Sequence, residues 1–452
     1  MTEYITVKQL GRGSFGCVEH VKNKDDKSFA LKKFSPNEDV LRSINAGHVS
    51  LEELKRRFST EAKYQQQIDH PNIIKVYESN LTIDPPFFTM ELAEGVLSDD
   101  LSSDNTLNGN PRQALFDILS GLEAIHQQGI YHRDLKPANI MRLRNPNGEI
   151  RYALSDFGLI KVATGDATTY TATGAQGGTE RYAAPELMSD FKRATARSDI
   201  FSFGVILFDI FVGMGNRIPY TEVQFAGAVG SVASKCTKKL AARRYASIAE
   251  VRSALYDALQ NETPIFGSND ESDALNLLRS ERNLTENEWD SVFYVLERIS
   301  ESNPQAYHII LQAVTKEHIN ILANEAPDLL AAFSNYYTEY IDDRRGDFGF
   351  DYCDVIADKL TWLFEVGDIS VRARVLQVML GLGVSHNRWL VERRFMLLAS
   401  SSLDDATARR FLLDVNVKGI DILSDISHIE RSIGVDRNQL SPELHQLWVN
   451  NN

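Results

Sequence analysis

The sequence predicts an α+β domain at the N-terminal end of the chain and an all-α domain after it. A glycine-rich loop between two segments of alternating apolar residues predicts β-strands near the start. Apolar residues at spacings of three and four predict amphipathic helices from about Ser272 onward. Two domains also agree with the length, because 452 residues exceed what one hydrophobic core usually spans.

Composition and patterning exclude several classes of protein. The longest strongly apolar run, residues 200–212, contains Asp209 and is shorter than the roughly 20 residues that cross a bilayer, so we expect no membrane span. The N-terminal residues lack the basic start and apolar core of a signal peptide. The three cysteines are far apart in the sequence: Cys17, Cys236 and Cys353. We therefore expect a cytoplasmic protein without a zinc site or a disulfide framework.

The net charge of −14 is unevenly distributed. Residues 263–452 contain 17 Lys and Arg against 30 Asp and Glu, a net charge of −13, whereas residues 1–262 contain 31 against 32. An acidic surface repels nucleic acid and anionic membranes, so we expect no nucleic-acid partner. It would tolerate a basic protein partner, or it serves only to keep the protein soluble.

The first chemical motif is a strand, a glycine loop and a second strand. Gly11, Gly13 and Gly16 let the backbone close over phosphate groups without Cβ clashes, so we expect them at a nucleotide. A GxGxxG pattern alone also fits a dinucleotide fingerprint, but that fingerprint opens a helix. Here the loop leads into a strand, where Val18 and Ala30 would offer apolar surface to an adenine.

Lys32 lies two residues after Ala30, so the two side chains share one face of the predicted strand. A cation on that face would bind nucleotide phosphates, and a carboxylate on the following helix would be needed to hold it. The candidate carboxylates are Glu52, Glu53 and Glu61.

The stretch from His132 to Asn139, followed by Asp156-Phe157-Gly158, carries the most chemical information. It provides a proton acceptor, Asp134, and two hard-oxygen metal ligands, Asn139 and Asp156, at the spacing that phosphoryl transfer needs. Lys136 would stabilise charge on the transferred phosphate. An Asn-Pro-Asn-Gly turn over residues 145–148 predicts a hairpin that accounts for the intervening length.

With these motifs in order, residues 1–262 resemble the eukaryotic-like Ser/Thr protein kinase family. The resemblance implies an α+β two-lobed protein kinase fold, with an N-lobe over 1–91 and a C-lobe over 95–262. It implies transfer of the γ-phosphoryl group of ATP to protein hydroxyls, with Mg²⁺. The alternative is a pseudokinase scaffold that acts through its C-terminal helices; the intact set of Lys32, Asp134, Asn139 and Asp156 favours the active enzyme.

The resemblance also assigns the remaining nucleotide contacts. Glu61 is the partner of Lys32, because it lies nine residues before His70-Pro71, as the family pattern asks. The residues expected around the adenine are Met90, Glu91, Ala93 and Met141, with Glu91 and Ala93 acting through their backbone.

The segment over residues 159–183 is rich in hydroxyl groups. In the family, an arginine at the position of Arg133 commonly pairs with a phosphate on this segment. We expect autophosphorylation here, and the candidate sites are Thr168, Thr169, Thr171 and Thr173. Residues 178–186 resemble the substrate-docking loop of the family. The resemblance further pairs Arg244 with Glu186. It also places Asp199 against the backbone of the catalytic loop, residues 132–139.

Two departures from the family pattern predict local differences. The interval between Lys32 and Glu61 is longer than usual, which predicts an additional helix or lid within residues 35–53. Gln65 occupies a position where the family has an apolar residue behind Phe157 and His132. A polar group there weakens this stack unless it finds a hydrogen-bond partner, so the active arrangement is expected to need a protein partner or phosphorylation.

The remaining sequence predicts a linker over residues 263–271 and an all-α interaction or regulatory domain over 272–452. We expect about eight to ten helices in a bundle or an α-solenoid, interrupted at Pro327, residues 344–349, Gly381-Leu-Gly383 and Gly434. A second Asp-Phe-Gly, at residues 347–349, lacks an upstream catalytic loop and is expected to be coincidental. The partners we expect are protein substrates, together with a homodimer contact or a regulatory partner through the acidic domain.

Overall fold

The computed structural model describes residues 3–145, 147–157, 180–188, 194–215, 217–260, 265–280 and 282–449. The chain divides into two compact units, Met1–Leu259 and Gln260–Asn452. Within the described ranges, every helix is too short or too polar to cross a lipid bilayer.

An antiparallel sheet of five strands forms the N-terminal part of the first unit. Its strands are β1 (Ile5–Arg12), β2 (Gly16–Lys22), β3 (Ser28–Phe34), β4 (Val76–Asn80) and β5 (Phe87–Met90), in the order β1-β2-β3-β5-β4. Val18 lies opposite Lys32, and Ala30 lies opposite Met90. Opposed residues share a face of a sheet, so the register places these four side chains together.

Two helices follow β3 and cover the sheet. Helix α1 (Glu38–Asn45) occupies the interval where the sequence predicts an additional helix, and that prediction is confirmed. Helix α2 (Leu51–Gln66) begins at Ser50, whose side chain accepts a hydrogen bond from the Glu53 amide at 3.1 Å. One face of α2 packs Leu54, Phe58 and Ala62 into the core beneath the sheet.

Helices and a short sheet make up the rest of the first unit. The helices are α3 (Leu97–Ser103), α4 (Arg112–His126), α5 (Ala196–Phe211), α6 (Ala228–Cys236) and α7 (Ile248–Ala258). The strands are β6 (Gly95–Val96), β7 (Ile140–Arg144) and β8 (Ile150–Leu154), with β7 and β8 forming the predicted hairpin. The apolar run that the sequence singles out forms most of α5, a buried core helix.

The second unit is all-helical over its described residues. Its helices are α8 (Asn269–Leu278), α9 (Glu286–Ile299), α10 (Pro304–Ala313), α11 (Lys316–Glu325), α12 (Pro327–Asp343), α13 (Phe350–Val366), α14 (Ile369–His386), α15 (Trp389–Leu398), α16 (Asp405–Lys418), α17 (Ile422–Ile433) and α18 (Pro442–Val449). They exceed the predicted number because some junctions are very short. Ala326, for example, both ends α11 and caps α12.

The break predicted at Gly381-Leu-Gly383 is wrong, because both glycines lie inside α14. A Cβ at Gly381 would collide with the guanidinium of Arg345, and one at Gly383 would lie 3.0 Å from Cγ of Glu392. These glycines let neighbouring side chains approach the helix backbone, and the helix continues through them. Gly434 ends α17 with a φ of 65°, as a helix-terminating glycine does.

The linker predicted over residues 263–271 is shorter, because α8 already begins at Asn269. The carboxylate of Glu271 accepts hydrogen bonds from the Gly267 amide at 2.8 Å and from the Ser268 hydroxyl at 3.3 Å. Small residues that resemble a linker in the sequence therefore form the cap of a helix.

The second Asp-Phe-Gly lies between α12 and α13. Its Phe348 ring packs against Tyr340 and Tyr352, with centroid distances of 6.0 Å and 5.3 Å. These contacts give the motif a packing role in the second unit.

Candidate active site

A lysine and two carboxylates meet between the sheet and the helices of the first unit. Lys32 on β3 donates from Nζ to Glu61 Oε1 at 3.0 Å and to Asp156 Oδ1 at 2.6 Å. Glu61 comes from α2 and Asp156 follows β8, so three separate elements contribute one group each. The structure thus brings Lys32 together with Glu61; Glu53 instead pairs with Arg57 and Glu52 lies near Lys55.

Burial and charge act in opposite directions on these groups. Desolvation disfavours the charged form of Lys32, but the carboxylates of Asp156 and Glu61 outweigh it and hold the lysine pKa above its ordinary value. Burial raises the pKa of Glu61 to about 7. Asp156 is also desolvated, yet Lys32 keeps its pKa below the ordinary value. Lys32 and Asp156 therefore form the firmly charged pair.

The catalytic loop gathers polar groups around Asp134. Lys136 Nζ donates to Asp134 Oδ2 at 3.1 Å. The side-chain amide of Asn139 donates to the Asp134 backbone oxygen at 2.9 Å and to Oδ2 at 3.2 Å. The backbone amide of Ser155 donates to the Asn139 carbonyl at 3.0 Å, which joins this loop to the residue before Asp156.

Asp199, near the start of α5, accepts hydrogen bonds from the backbone of the catalytic loop. Its carboxylate accepts from the amides of His132 at 2.8 Å and Arg133 at 2.9 Å, and it bonds His126 Nε2 at 2.8 Å. Burial opposes ionisation of Asp199, but these hydrogen bonds and nearby histidines keep its pKa below the ordinary value. The arrangement matches the expected contact and supports a loop in which Arg133 has a φ of 64°.

The side chain of Gln65 has a hydrogen-bond partner, which could not be identified from the sequence. The side chain is 1% exposed, and its Nε2 donates to the Ile74 carbonyl at 2.9 Å. The His132 and Phe157 rings pack edge to face with centroids 5.5 Å apart. Because the amide is bonded, Gln65 is accommodated in the buried face of α2 without an unsatisfied donor.

Five of the residues expected around the adenine lie in or against one apolar cluster. Ala30 and Met90 belong to the buried cluster, and Val18, Ala93 and Met141 pack against it. At the glycine loop, a Cβ at Gly16 would lie 3.0 Å from the Lys33 carbonyl oxygen, so a side chain there would require the neighbouring backbone to shift by a few tenths of an ångström. Added Cβ atoms at Gly11 and Gly13 come no closer than 3.9 Å to the atoms described around them.

Comparison with known proteins assigns this unit to a family. Residues 4–226 match the family model described as protein kinase domain. Residues 4–226 form a protein kinase domain.

The similar curated proteins are kinases. CBL-interacting serine/threonine-protein kinase 9 of Arabidopsis thaliana is 33% identical over 220 residues, covering 48% of this chain and 45% of that protein. Serine/threonine-protein kinase PknJ of Mycobacterium tuberculosis is 30% identical over 229 residues, covering 50% of this chain and 36% of that protein. Serine/threonine-protein kinase Pkn1 of Myxococcus xanthus is 29% identical over 279 residues, covering 56% of this chain and 38% of that protein. This chain thus spans about half or less of the length of these relatives.

The segment between the lobes of the kinase domain is braced by arginines that sequence reasoning missed. Arg151 on β8 bonds the carboxylate of Glu91 and the Pro71 carbonyl. Arg144 on β7 makes two bonds to Glu94, at 2.9 Å and 3.0 Å. The signal was present as arginines on two predicted strands and acids in the inter-lobe segment, but their pairing depends on how the hairpin packs.

Of the expected docking loop, residues 178–186, the structure describes residues 180–186. Glu186 accepts two bonds from Arg244, each at 2.8 Å, and one from the Ser198 hydroxyl at 2.8 Å. The expected Arg244 and Glu186 pair is therefore present. The candidate phosphorylation sites Thr168, Thr169, Thr171 and Thr173 lie outside the described residues.

Proposed function

We propose that this protein is a Ser/Thr protein kinase that transfers the γ-phosphoryl group of ATP to protein hydroxyls. The observation that carries the proposal is the convergence of Lys32, Glu61 and Asp156 from three elements beside the Asp134 loop. Phosphoryl transfer needs chiefly alignment of the acceptor and stabilisation of charge, and this arrangement supports both.

Each side chain then has a defined task. Lys32 would bind the non-transferred phosphates, and Glu61 would hold the lysine in place. Asp134 would orient the acceptor hydroxyl and take its proton, while Lys136, 3.1 Å from that carboxylate, would stabilise charge on the transferred group. The proposed nucleotide contacts of Val18, Ala30, Met90, Ala93 and Met141 are supported by their shared cluster.

The donor set at Asn139 and Asp156 fits Mg²⁺. An amide oxygen and a carboxylate are hard ligands, and Mg²⁺ in such enzymes takes one or two carboxylates together with substrate phosphates. When bound, Mg²⁺ would neutralise phosphate charge.

Autophosphorylation of the hydroxyl-rich segment is the second part of the proposal. Arg133 is partly buried, its pKa is lowered by desolvation, and its Nε lacks a hydrogen-bond acceptor within the described residues. A phosphate on Thr168, Thr169, Thr171 or Thr173 would supply that acceptor. A homodimer contact or a regulatory partner of the helical unit, and a cytoplasmic location, stay predictions.

The test is incubation of the full chain with ATP and Mg²⁺, followed by mass spectrometry. We expect phosphate on residues 159–183 of the wild type, and a rate lowered by roughly 10²-fold or more in Asp134→Asn, because the acceptor loses its base. Equal labelling of both proteins would overturn the assignment of Asp134. No labelling of either protein or of an added protein substrate would favour the pseudokinase alternative.

A further inference from the structure

Two arginine side chains join the docking loop to the loop that follows α5. Arg217 Nη1 donates to the Arg181 carbonyl at 2.6 Å, and Arg181 Nη2 donates to the Gly215 carbonyl. Each arginine thus bonds the backbone of the other loop. This exchange fixes two positive charges beside each other at the docking loop.

The nearby carboxylate of Asp209 compensates these charges only in part. Its Oδ2 accepts a hydrogen bond from the Tyr182 hydroxyl at 2.6 Å. Its Oδ1 lies 3.9 Å from Arg217 Nη2, which is too far for a hydrogen bond. Two guanidinium groups therefore share one buried carboxylate that is already bonded to a phenol.

Several donors of these arginines are buried and unused. Arg181 Nε, Arg217 Nε and Arg217 Nη2 make no hydrogen bond to any described residue. The Arg217 side chain is 8% exposed, and desolvation together with repulsion from Arg181 lowers its pKa. Arg181 is itself partly exposed. Buried cationic donors without acceptors cost free energy, and an anion bound at the partly exposed Arg181 would offset the two neighbouring positive charges.

Glu180, the residue before Arg181, is not among the charged groups that act on Arg217. It contributes to the raised pKa of Tyr220, after the larger effect of burial. The charged or titratable groups that act on Arg217 are instead Asp209, Tyr182 and Arg181.

We infer that Arg181 and Arg217 form a subsite for an anionic side chain of the protein substrate, a carboxylate or a phosphate near the acceptor hydroxyl. This rests on the proposed function, since the docking loop meets a protein substrate only in a protein kinase. The subsite makes acidic or already phosphorylated sequences the preferred substrates and disfavours basic ones.

The test uses the full chain and a set of peptides with one acceptor each. Each peptide has Gln, Glu, phosphoserine or Lys at one flanking position. This position is moved stepwise along both sides of the acceptor. We expect the best Glu peptide to exceed its Gln counterpart by about tenfold in kcat/KM, because a charged donor pairs with a charged acceptor. The Lys peptide should be the poorest, and added salt should reduce the differences.

Variants of the partly exposed Arg181 assign the preference to this subsite. Arg181→Gln should bring the Glu to Gln ratio of kcat/KM close to one, and Arg181→Glu should reverse it. Arg243→Glu changes the charge by the same amount at an exposed position of a separate turn, and it should retain the wild-type ratio. The ratio is read within each protein, so a general loss of activity does not affect it.

Fluorescence anisotropy of the same peptides on Asp134→Asn separates the two failures. If Asp134→Asn binds the anionic peptides preferentially but no protein that retains Asp134 phosphorylates any peptide, the proposed function is overturned and the subsite is not. Transfer without a preference for anionic peptides, or a preference unchanged in Arg181→Gln, would overturn the subsite alone.

Discussion

Lys32 illustrates how the site works at the scale of single residues. It is a buried cation that stays charged because two carboxylates lie within 3.0 Å of its Nζ. Removing Glu61 leaves Lys32 paired with Asp156 alone, and removing Asp156 leaves it with Glu61, whose pKa is raised to about 7, so either loss weakens the compensation of the buried cation. The lysine therefore depends on both Glu61 and Asp156 before any nucleotide binds.

Glu61 predicts a pH dependence for catalysis. Its pKa of about 7 means that the carboxyl loses its proton, and begins to hold Lys32 as an ion pair, as the pH rises through that value. We expect kcat/KM for ATP, which reports on the free enzyme, to rise with a midpoint near pH 7. Glu61→Gln should show low activity without this rise; the same rise in Glu61→Gln would contradict the assignment.

The contribution of Glu61 to the free energy of unfolding should change with pH in the opposite direction to its effect on activity. Because the folded-state pKa of Glu61 is raised from 4.5 to about 7, the folded state binds more protons than the unfolded state between these values. The stabilising contribution is present in full below pH 4.5 and is lost as the pH rises through about 7. Deprotonation thus costs stability while it strengthens the catalytic ion pair.

Residues with a fixed motif spacing were predictable, and those defined by tertiary contacts were not. Asp134, Asn139 and Asp156 could be selected as candidates from the sequence because phosphoryl transfer needs such groups in that order. The partner of Gln65 is a backbone carbonyl, which every residue possesses, so no sequence signal distinguishes Ile74. The exchange between Arg181 and Arg217 likewise depends on two loops that meet only in the folded domain.

At the scale of elements, Gln65 connects α2 to the strand that precedes Asp156, the proposed metal ligand. The Ile74 carbonyl accepts from Gln65, while the Ile74 amide donates to the Leu154 carbonyl at 2.9 Å. Leu154 is the last residue of β8, two positions before Asp156. One short path therefore links the helix that carries Glu61 to the second partner of Lys32.

Gln65→Ala should loosen α2. The change removes a buried hydrogen bond and leaves the Ile74 carbonyl without this donor, at a cost of roughly 1–3 kcal/mol. We expect faster hydrogen exchange of the α2 amides and weaker ATP binding. The matched control is Gln66→Ala, because Gln66 is exposed and, among the described residues, its side chain has only a 3.3 Å contact with Ser79. Equal exchange rates of α2 in the two variants would refute this role.

Element boundaries show the limits of sequence patterns in the second unit. Glycine was interpreted as a break at residues 381–383, but the neighbouring side chains of Arg345 and Glu392 explain it as a site of close approach. A cap at residues 267–271 resembled a linker because both use small polar residues. Helical periodicity, which reflects burial of one face, was the reliable signal.

At the scale of the whole molecule, the two units differ in what they reveal. The first unit contains a protein kinase domain, for which a catalytic site and a substrate preference are proposed. The second carries almost all of the net charge, with 17 Lys and Arg against 30 Asp and Glu over residues 263–452. Its helices were predictable as a class, but charge and helicity alone do not select a partner.

The two Asp-Phe-Gly motifs allow the most direct test of the central claim that the first unit transfers phosphate. The measurement is transfer of the labelled γ-phosphate of ATP to a Ser/Thr peptide, with Mg²⁺, by the wild type, Asp156→Asn and Asp347→Asn. We expect Asp156→Asn to be slower by about a hundredfold or more, because a charge-stabilising group is lost. Asp347→Asn should match the wild type. Equal rates for all three proteins, or a loss confined to Asp347→Asn, would contradict the account.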